Sequence, residues 1–240
     1  MARCWWRRFA VAGHADVTHV DLSPDALRET AALDWLDATE RQRLRRFVAV
    51  RPRRDFALCR AALRALLCGR LDCENAQLSF GVSGRGKPFA LVDAAPVAID
   101  FNLSHSGAHA LIAVTRAGRV GIDVEDRAPP RDIDAAAALT FAAAELAELA
   151  AAGEACRTRL FYRIWTMKEA LIKALGTGFE TDPSQFEIPP AMRQGARRST
   201  WRLPQLSAAQ WQLENLGNAD FAAAIVTELG PPSDRARRYG

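Results

Sequence analysis

Three carboxylates and one lysine are the residues of this 240-residue chain whose types and spacing could do chemistry. Val120-Gly121-Ile122-Asp123-Val124-Glu125 alternates strictly. A strand here turns Val120, Ile122 and Val124 to one side and Asp123 and Glu125 to the other. Around Trp165, the residues Ile164, Met167, Leu171, Ile172 and Leu175 fall in one apolar helical arc, with Glu169 and Lys173 one turn apart at its flank. Asp123, Glu125 and Glu169 together make the hard all-oxygen donor set that magnesium prefers where it bridges phosphates. A set without His or Cys argues against zinc. Plainer readings stand beside this one. A D-x-E strand is also the solvated outer face of an antiparallel edge, and an exposed Glu/Lys helix pair contributes only about 0.3 to 0.5 kcal/mol.

Other tracts offer donors for an anion. Gly84-Arg85-Gly86-Lys87-Pro88, within the glycine-rich loop Gly81 to Pro88, presents backbone amides and a lysine, as a phosphate cradle or as an ordinary tight basic turn. Asn102, Ser104 and His105 stand at the end of a strand, in the polar turn Ser104-His105-Ser106-Gly107, to grip a phosphate or to cap a chain reversal. His105 has no Ser/Asp partners at triad spacing. Arg41, Arg43, Arg45 and Arg46, followed by Arg51, Arg53 and Arg54, suit phosphates, acidic proteins or water.

The elements that must position these groups are legible in outline. Helices are expected over Asp25 to Leu36, over Asp55 to Leu67 with Gly69 as its stop, over Phe141 to Ala152, and over Cys156 to Leu175 before Gly176. Strands are expected over Val97 to Leu103, Ala110 to Thr115, Trp201 to Leu203, Trp211 to Glu214 and Phe221 to Val226, with a Pro/Arg-rich linker over Pro189 to Ser199. This mixture gives an α+β fold, or α/β lobes, divided near Gly118 into residues 1–117 and 118–230, with 231–240 as a disordered tail.

Composition adds bounds. With 49% hydrophobic and 25% charged residues the chain can bury one large core or two small ones. Five scattered cysteines, Cys4, Cys59, Cys68, Cys73 and Cys156, fit a disulfide framework poorly and point to a reduced, cytoplasmic setting, with Cys68 and Cys73 as core thiols. Phe9 to Ala12 behind Arg3, Arg7 and Arg8 is too short for a signal peptide, and no run approaches membrane-spanning length. A net charge of +4 suits an anionic ligand, an acidic protein or nucleic acid.

Taken together, GIDVE at Gly121 to Glu125 and WTMKEALIKALGTG at Trp165 to Gly178 closely resemble the two signature motifs of 4′-phosphopantetheinyl transferases of the surfactin-synthetase-activating type. The upstream GKP and FNLSHSG elements match in the same order, and the resemblance runs from about Arg41 to Phe179. It implies a pseudo-symmetric monomer of two lobes, each a small sheet packed on a long helix, with coenzyme A between them. It also implies magnesium, or manganese in its place, on Asp123, Glu125 and Glu169. Arg43, Lys87, Pro88, Asn102, Ser104 and His105 would hold coenzyme A, with the 3′-phosphate as the target of Lys87, Ser104 and His105, and Lys173 would reach the pyrophosphate. Lys168 snorkels or orders the helix. Arginines stand where the family often has lysines before the first long helix, which keeps charge and changes geometry.

The implied reaction moves phosphopantetheine from coenzyme A to a serine of an apo acyl or peptidyl carrier protein, leaving adenosine 3′,5′-bisphosphate. Glu169 would take the serine proton, directly or through water. The layout leans toward the broad-specificity type of secondary metabolism. No nucleic acid or membrane partner is expected. Two rivals are a binder that keeps the scaffold without turnover, and a basic nucleic-acid module resting on the arginine-rich segment alone.

Overall fold

The computed structural model describes residues 4–127, 132–203 and 207–230, with the side chains of Ala155 and Phe179 left aside. In chain order the first half holds β1 (Trp6–Ala12), β2 (Ala15–Asp21), α1 (Ala26–Leu33), α2 (Ala38–Leu44), α3 (Val50–Leu71), β3 (Leu78–Val82), β4 (Pro88–Val92), β5 (Ala95–Pro96), β6 (Asp100–Ser106) and β7 (His109–Thr115). The second half holds β8 (Val120–Asp126), α4 (Ile133–Thr140), α5 (Ala143–Ala151), α6 (Glu154–Leu175), α7 (Pro190–Arg193), β9 (Arg198–Leu203), β10 (Ser207–Asn215) and β11 (Phe221–Leu229). The expected tail at 231–240 lies outside the described residues.

Strand alternation stacks these elements into layers. One antiparallel sheet has the order β1-β2-β7-β6 and the other β8-β11-β10-β9, beside a small β3-β4-β5 sheet. On β7, Ala110, Ile112 and Val114 join a core with α3 residues such as Leu58 and Ala62, while Leu111 and Ala113 face the other sheet. On β11, Ala222, Ala224 and Val226 pack toward α6, while Phe221, Ala223 and Ile225 meet Val17, Leu111 and Ala113. The order of layers is therefore helix, sheet, sheet, helix, an α+β architecture of two lobes back to back.

The two long helices correspond, at 22 residues each. Each also buries one cation. Arg64 of α3 is held by Asp37, Glu40, Asn75 and the Leu78 carbonyl. Lys168 of α6 is held by Glu145 at 2.7 Å and by the Pro183 and Phe186 carbonyls at 2.7 Å each. Of the two expectations for Lys168, snorkelling to water is overturned, since at 2% exposure it sits over the rings of Phe141 and Phe186 with three polar partners, and the ordering of the helix against its neighbours remains.

Other departures have physical causes. Gly69 does not stop α3, which runs on to Leu71 and ends at Asp72 in the left-handed conformation. Packing of Leu66 and Leu71 on the core outweighs the ~1 kcal/mol helix penalty of one glycine. The segment Pro189 to Ser199 is no linker. It contains α7, with Met192 buried and Arg193 bonded to Glu148 and the Ile188 carbonyl, and the start of β9. The helix expected over Phe141 to Ala152 is α5 alone, and a separate α4 precedes it. Ser104, His105 and Ser106 belong to β6, so the reversal lies at Gly107 and Ala108 rather than in the serine tract.

Candidate active site

The two sheets meet edge to edge along β6 and β8. Neither strand supplies backbone partners to the other, so side chains of β6 do it instead. Asp100 Oδ2 accepts from Val120 N at 2.8 Å and Asn102 Oδ1 from Ile122 N at 2.9 Å. Further along, Ser104 Oγ donates to Asp123 Oδ1 and Ser106 Oγ to Glu125 Oε2, each at 2.7 Å. Residue numbers rise together on both strands, so a parallel side-chain ladder closes an edge whose amides would otherwise lack partners.

On its other face β8 lies against α6. A Cβ at Gly121 would collide with the backbone of Ala170 and Ala174, so only glycine lets helix and strand approach this closely. That approach brings Lys173 Nζ to 2.5 Å from Asp123 Oδ1 and 3.0 Å from Ser104 Oγ. Asp123 is 3% exposed, which removes the reading of a solvated outer face. Its Oδ2 is buried with no hydrogen-bond partner.

The electrostatics follow from one cation serving three acids. Burial raises the Asp123 carboxyl above its usual range, against the pull of Lys173 and Ser104. Glu125 is raised by burial and then by Asp123, with hydrogen bonds from Ser106 and Trp165 opposing. Glu169 is raised by burial and by Asp123, with Lys173 opposing. Among the described residues no three His, Cys, Asp or Glu side chains already converge as a metal cage. The donor chemistry nevertheless fits a hard divalent cation: three oxygen ligands, a charge deficit and an orphaned buried oxygen on Asp123.

Beside the acids lies a cleft of about 440 Å³ lined by Arg43, Phe47, Phe56, Arg60, Pro88, Asn102 and His105. Four expected site residues, Arg43, Pro88, Asn102 and His105, therefore share one cavity. The Arg43 guanidinium stands 5.1 Å over the Phe56 ring, and Arg60 stands over Phe56 and Phe80. Lys87 is placed elsewhere. Its Nζ reaches Asp100 Oδ2 at 2.8 Å and the Val120 carbonyl at 3.0 Å, beside a second cleft of about 420 Å³ that also borders Gly84, Arg85, Arg119 and Gly176.

Three contributors escaped sequence reasoning. Ser106 and Trp165 hold Glu125, and the alternation of Asp100, Asn102, Ser104 and Ser106 was the available sign that they share a strand face. Asp55 is buried near His105, Arg51 and Arg54, and burial raises its carboxyl. No local signal marked it.

Comparison with known proteins agrees with this geometry. A family profile described as the 4′-phosphopantetheinyl transferase superfamily matches residues 119–226, and one described as 4′-phosphopantetheinyl transferase, N-terminal, matches residues 23–117. The chain is 33% identical over 211 residues to the 4′-phosphopantetheinyl transferase HetI of Nostoc sp., covering 88% of this chain and 85% of that one. It is 30% identical over 172 residues to a 4′-phosphopantetheinyl transferase of Bacillus subtilis, covering 71% and 73%, and 27% identical over 158 residues to Sfp of Bacillus subtilis strain 168, covering 65% and 67%. With both halves matched and the seam built from the residues described above, the chain belongs to the 4′-phosphopantetheinyl transferase family.

Proposed function

We propose that this transferase moves the phosphopantetheine arm of coenzyme A onto a serine of an apo acyl or peptidyl carrier protein, releasing adenosine 3′,5′-bisphosphate. The observation that supports it best is the cluster of one buried acid, Asp123, and two half-buried ones, Glu125 and Glu169, with one ammonium, set beside an arginine-lined cleft. Asp123, Glu125 and Glu169 would hold magnesium, or manganese in its place. A cation held there would supply positive charge to screen the pyrophosphate and the departing bisphosphate.

The chain's own groups supply the rest. Arg43, Pro88, Asn102 and His105 hold the nucleotide end of coenzyme A in the 440 Å³ cleft, with His105 and Ser104 assigned to its phosphates, while Lys87, expected there too, is tied to Asp100 and the Val120 carbonyl at the second cleft. Lys173 balances pyrophosphate charge. Glu169, its carboxyl raised by burial, is a stronger base than an ordinary carboxylate and is suited to take the serine proton. The lobes divide near residue 118, the protein acts as a cytoplasmic monomer, and its carriers are those of polyketide or nonribosomal-peptide assembly. Among the described residues no helix is long and apolar enough to cross a membrane.

The test is intact-mass spectrometry of apo acyl and peptidyl carriers incubated with the protein, coenzyme A and magnesium. A phosphopantetheine-sized gain that a chelator abolishes is expected. Coenzyme A binding without any gain across the carrier panel would leave a binder that keeps the scaffold without turnover.

A further inference from the structure

One buried acid near the nucleotide cleft has no task in the reaction proposed above. Asp55, near the start of α3, is 6% exposed, and its Oδ1 is buried without a hydrogen-bond partner. The two arginines paired with it stop short: Arg54 Nε stands 3.7 Å from Oδ1 and Arg51 Nε 3.7 Å from Oδ2. Arg54 Nε is itself buried and unpartnered, and Arg51 Nη2 donates to the Gly107 carbonyl at 2.9 Å. A buried carboxylate oxygen left open in this way costs free energy unless some other group meets it.

The group on that side is His105. Along β6, Phe101 and Leu103 pack with α3, while Asn102, Ser104 and Ser106 alternate with them and turn to β8. By the same alternation His105 points to the α3 side, where it lines the cleft with Phe56 and Cys59. Burial raises the Asp55 carboxyl, and the charges of Arg54, His105 and Arg51 pull it down. Asp55 in turn acts on Cys59, one helical turn further along the cleft wall. No acid lines the cleft, whose own charged side chains besides His105 are Arg43 and Arg60. Asp123 and Glu125 are bonded to Ser104 and Ser106, on the far side of β6.

We propose that Asp55 is a positioning residue for coenzyme A: when a phosphate of the ligand occupies the cleft, the open Asp55 oxygen takes one N–H of the His105 ring, and the other ring N–H points at the phosphate. This rests on the placing of His105 at a coenzyme A phosphate proposed above. An imidazole donates from both nitrogens only when charged, and a neighbouring carboxylate favours that form. Asp55 acts through His105 alone, so it bears on coenzyme A affinity and not on the transfer step.

The experiment measures dissociation constants of the full chain by isothermal titration calorimetry, between pH 6 and 8, for coenzyme A and for its 3′-dephospho analogue. Circular dichroism checks that each variant is folded. Asp55→Asn should weaken coenzyme A about fivefold at pH 8 and less than about twofold at pH 6, where the ring is charged without help. The analogue, which lacks the phosphate assigned to His105, should bind the variant nearly as well as the unaltered protein. Asp55→Ser, which also removes the charge, should repeat this pattern, and Asp55→Glu should recover most of the affinity. Added to His105→Gln, Asp55→Asn should cost nothing further. Unchanged or tighter coenzyme A binding in Asp55→Asn and Asp55→Ser overturns the role while leaving His105 at its phosphate. Equal losses for coenzyme A and the analogue overturn it too, since the whole cleft would then be disturbed. Normal coenzyme A binding by His105→Gln overturns the placing of His105 and, with it, the role of Asp55.

Discussion

The two ends of the β6/β8 seam are built alike and balanced differently. At the Asp100 end one carboxylate meets one ammonium, and Lys87 also donates to the Val120 carbonyl while Asp100 accepts from the Val120 amide. At the Ser104/Ser106 end Asp123, Glu125 and Glu169 face the single ammonium of Lys173, and all three carboxyls are raised. The first end closes its charges within the chain and serves to join the lobes. The second leaves a deficit that burial makes expensive, and such a deficit persists where an external cation or substrate relieves it.

Removing the charge deficit should have the largest effect. Asp123→Ala or Glu169→Ala should lower transfer by about a thousandfold or more, read by intact mass, while circular dichroism and thermal melting show a folded protein. Retained turnover in both variants would dissolve the distinction between the ends.

Next in size is the contact that assembles the reactive end. Gly121→Ala puts a methyl into the α6 backbone at Ala170 and Ala174, where no flexible side chain can yield. Helix displacement should cost about 1 to 3 kcal/mol of stability and about a hundredfold in turnover, with coenzyme A affinity changed less, because the arginine-lined cleft proposed for coenzyme A is lined by residues of the first lobe alone.

The raised carboxyl of Asp123 also sets how stability depends on pH. A carboxyl raised in the folded state binds more protons there than in the unfolded chain, so its contribution to stability falls as pH rises through its folded value. Burial raises Asp123, so Asp123→Asn should melt above the unaltered protein at pH 7.5, and the gap should close as pH falls toward the ordinary carboxylate range. Magnesium should raise the melting temperature of the unaltered protein and do so far less in the variant.

How much of this was legible depends on where each residue's partners lie. β8 and α6 were readable because period-two and helical apolar patterns are carried by neighbours in sequence: Val120, Ile122 and Val124 are all buried, as are Ile164, Met167 and Leu171. β6 was misread at its end because Ser104 and Ser106 look like turn formers, and what keeps them extended is an edge strand 19 residues away in sequence. Lys168 was misread for a similar reason, since Glu145 and the carbonyls of Pro183 and Phe186 come from elements with no local signal to it. α7 and the N-terminal hairpin of β1 and β2 owe their order to tertiary packing more than to intrinsic propensity.

The smallest effect on chemistry belongs to the balanced end. Asp100→Asn leaves a side chain that still accepts from the Val120 amide but no longer neutralises Lys87, whose ammonium then relies on the Val120 carbonyl among its known partners. An ammonium with limited access to water loses charge-assisted bonding worth about 1 to 3 kcal/mol, which chemical denaturation measures directly. Turnover at saturating coenzyme A should fall less than about threefold, because Asp100 bonds to neither Asp123 nor Lys173 and a uniform loss of stability leaves the transition state untouched. A kcat loss as large as that of Glu169→Ala would mean that the two ends are one charge network, with Lys87 and Lys173 sharing the same set of acids.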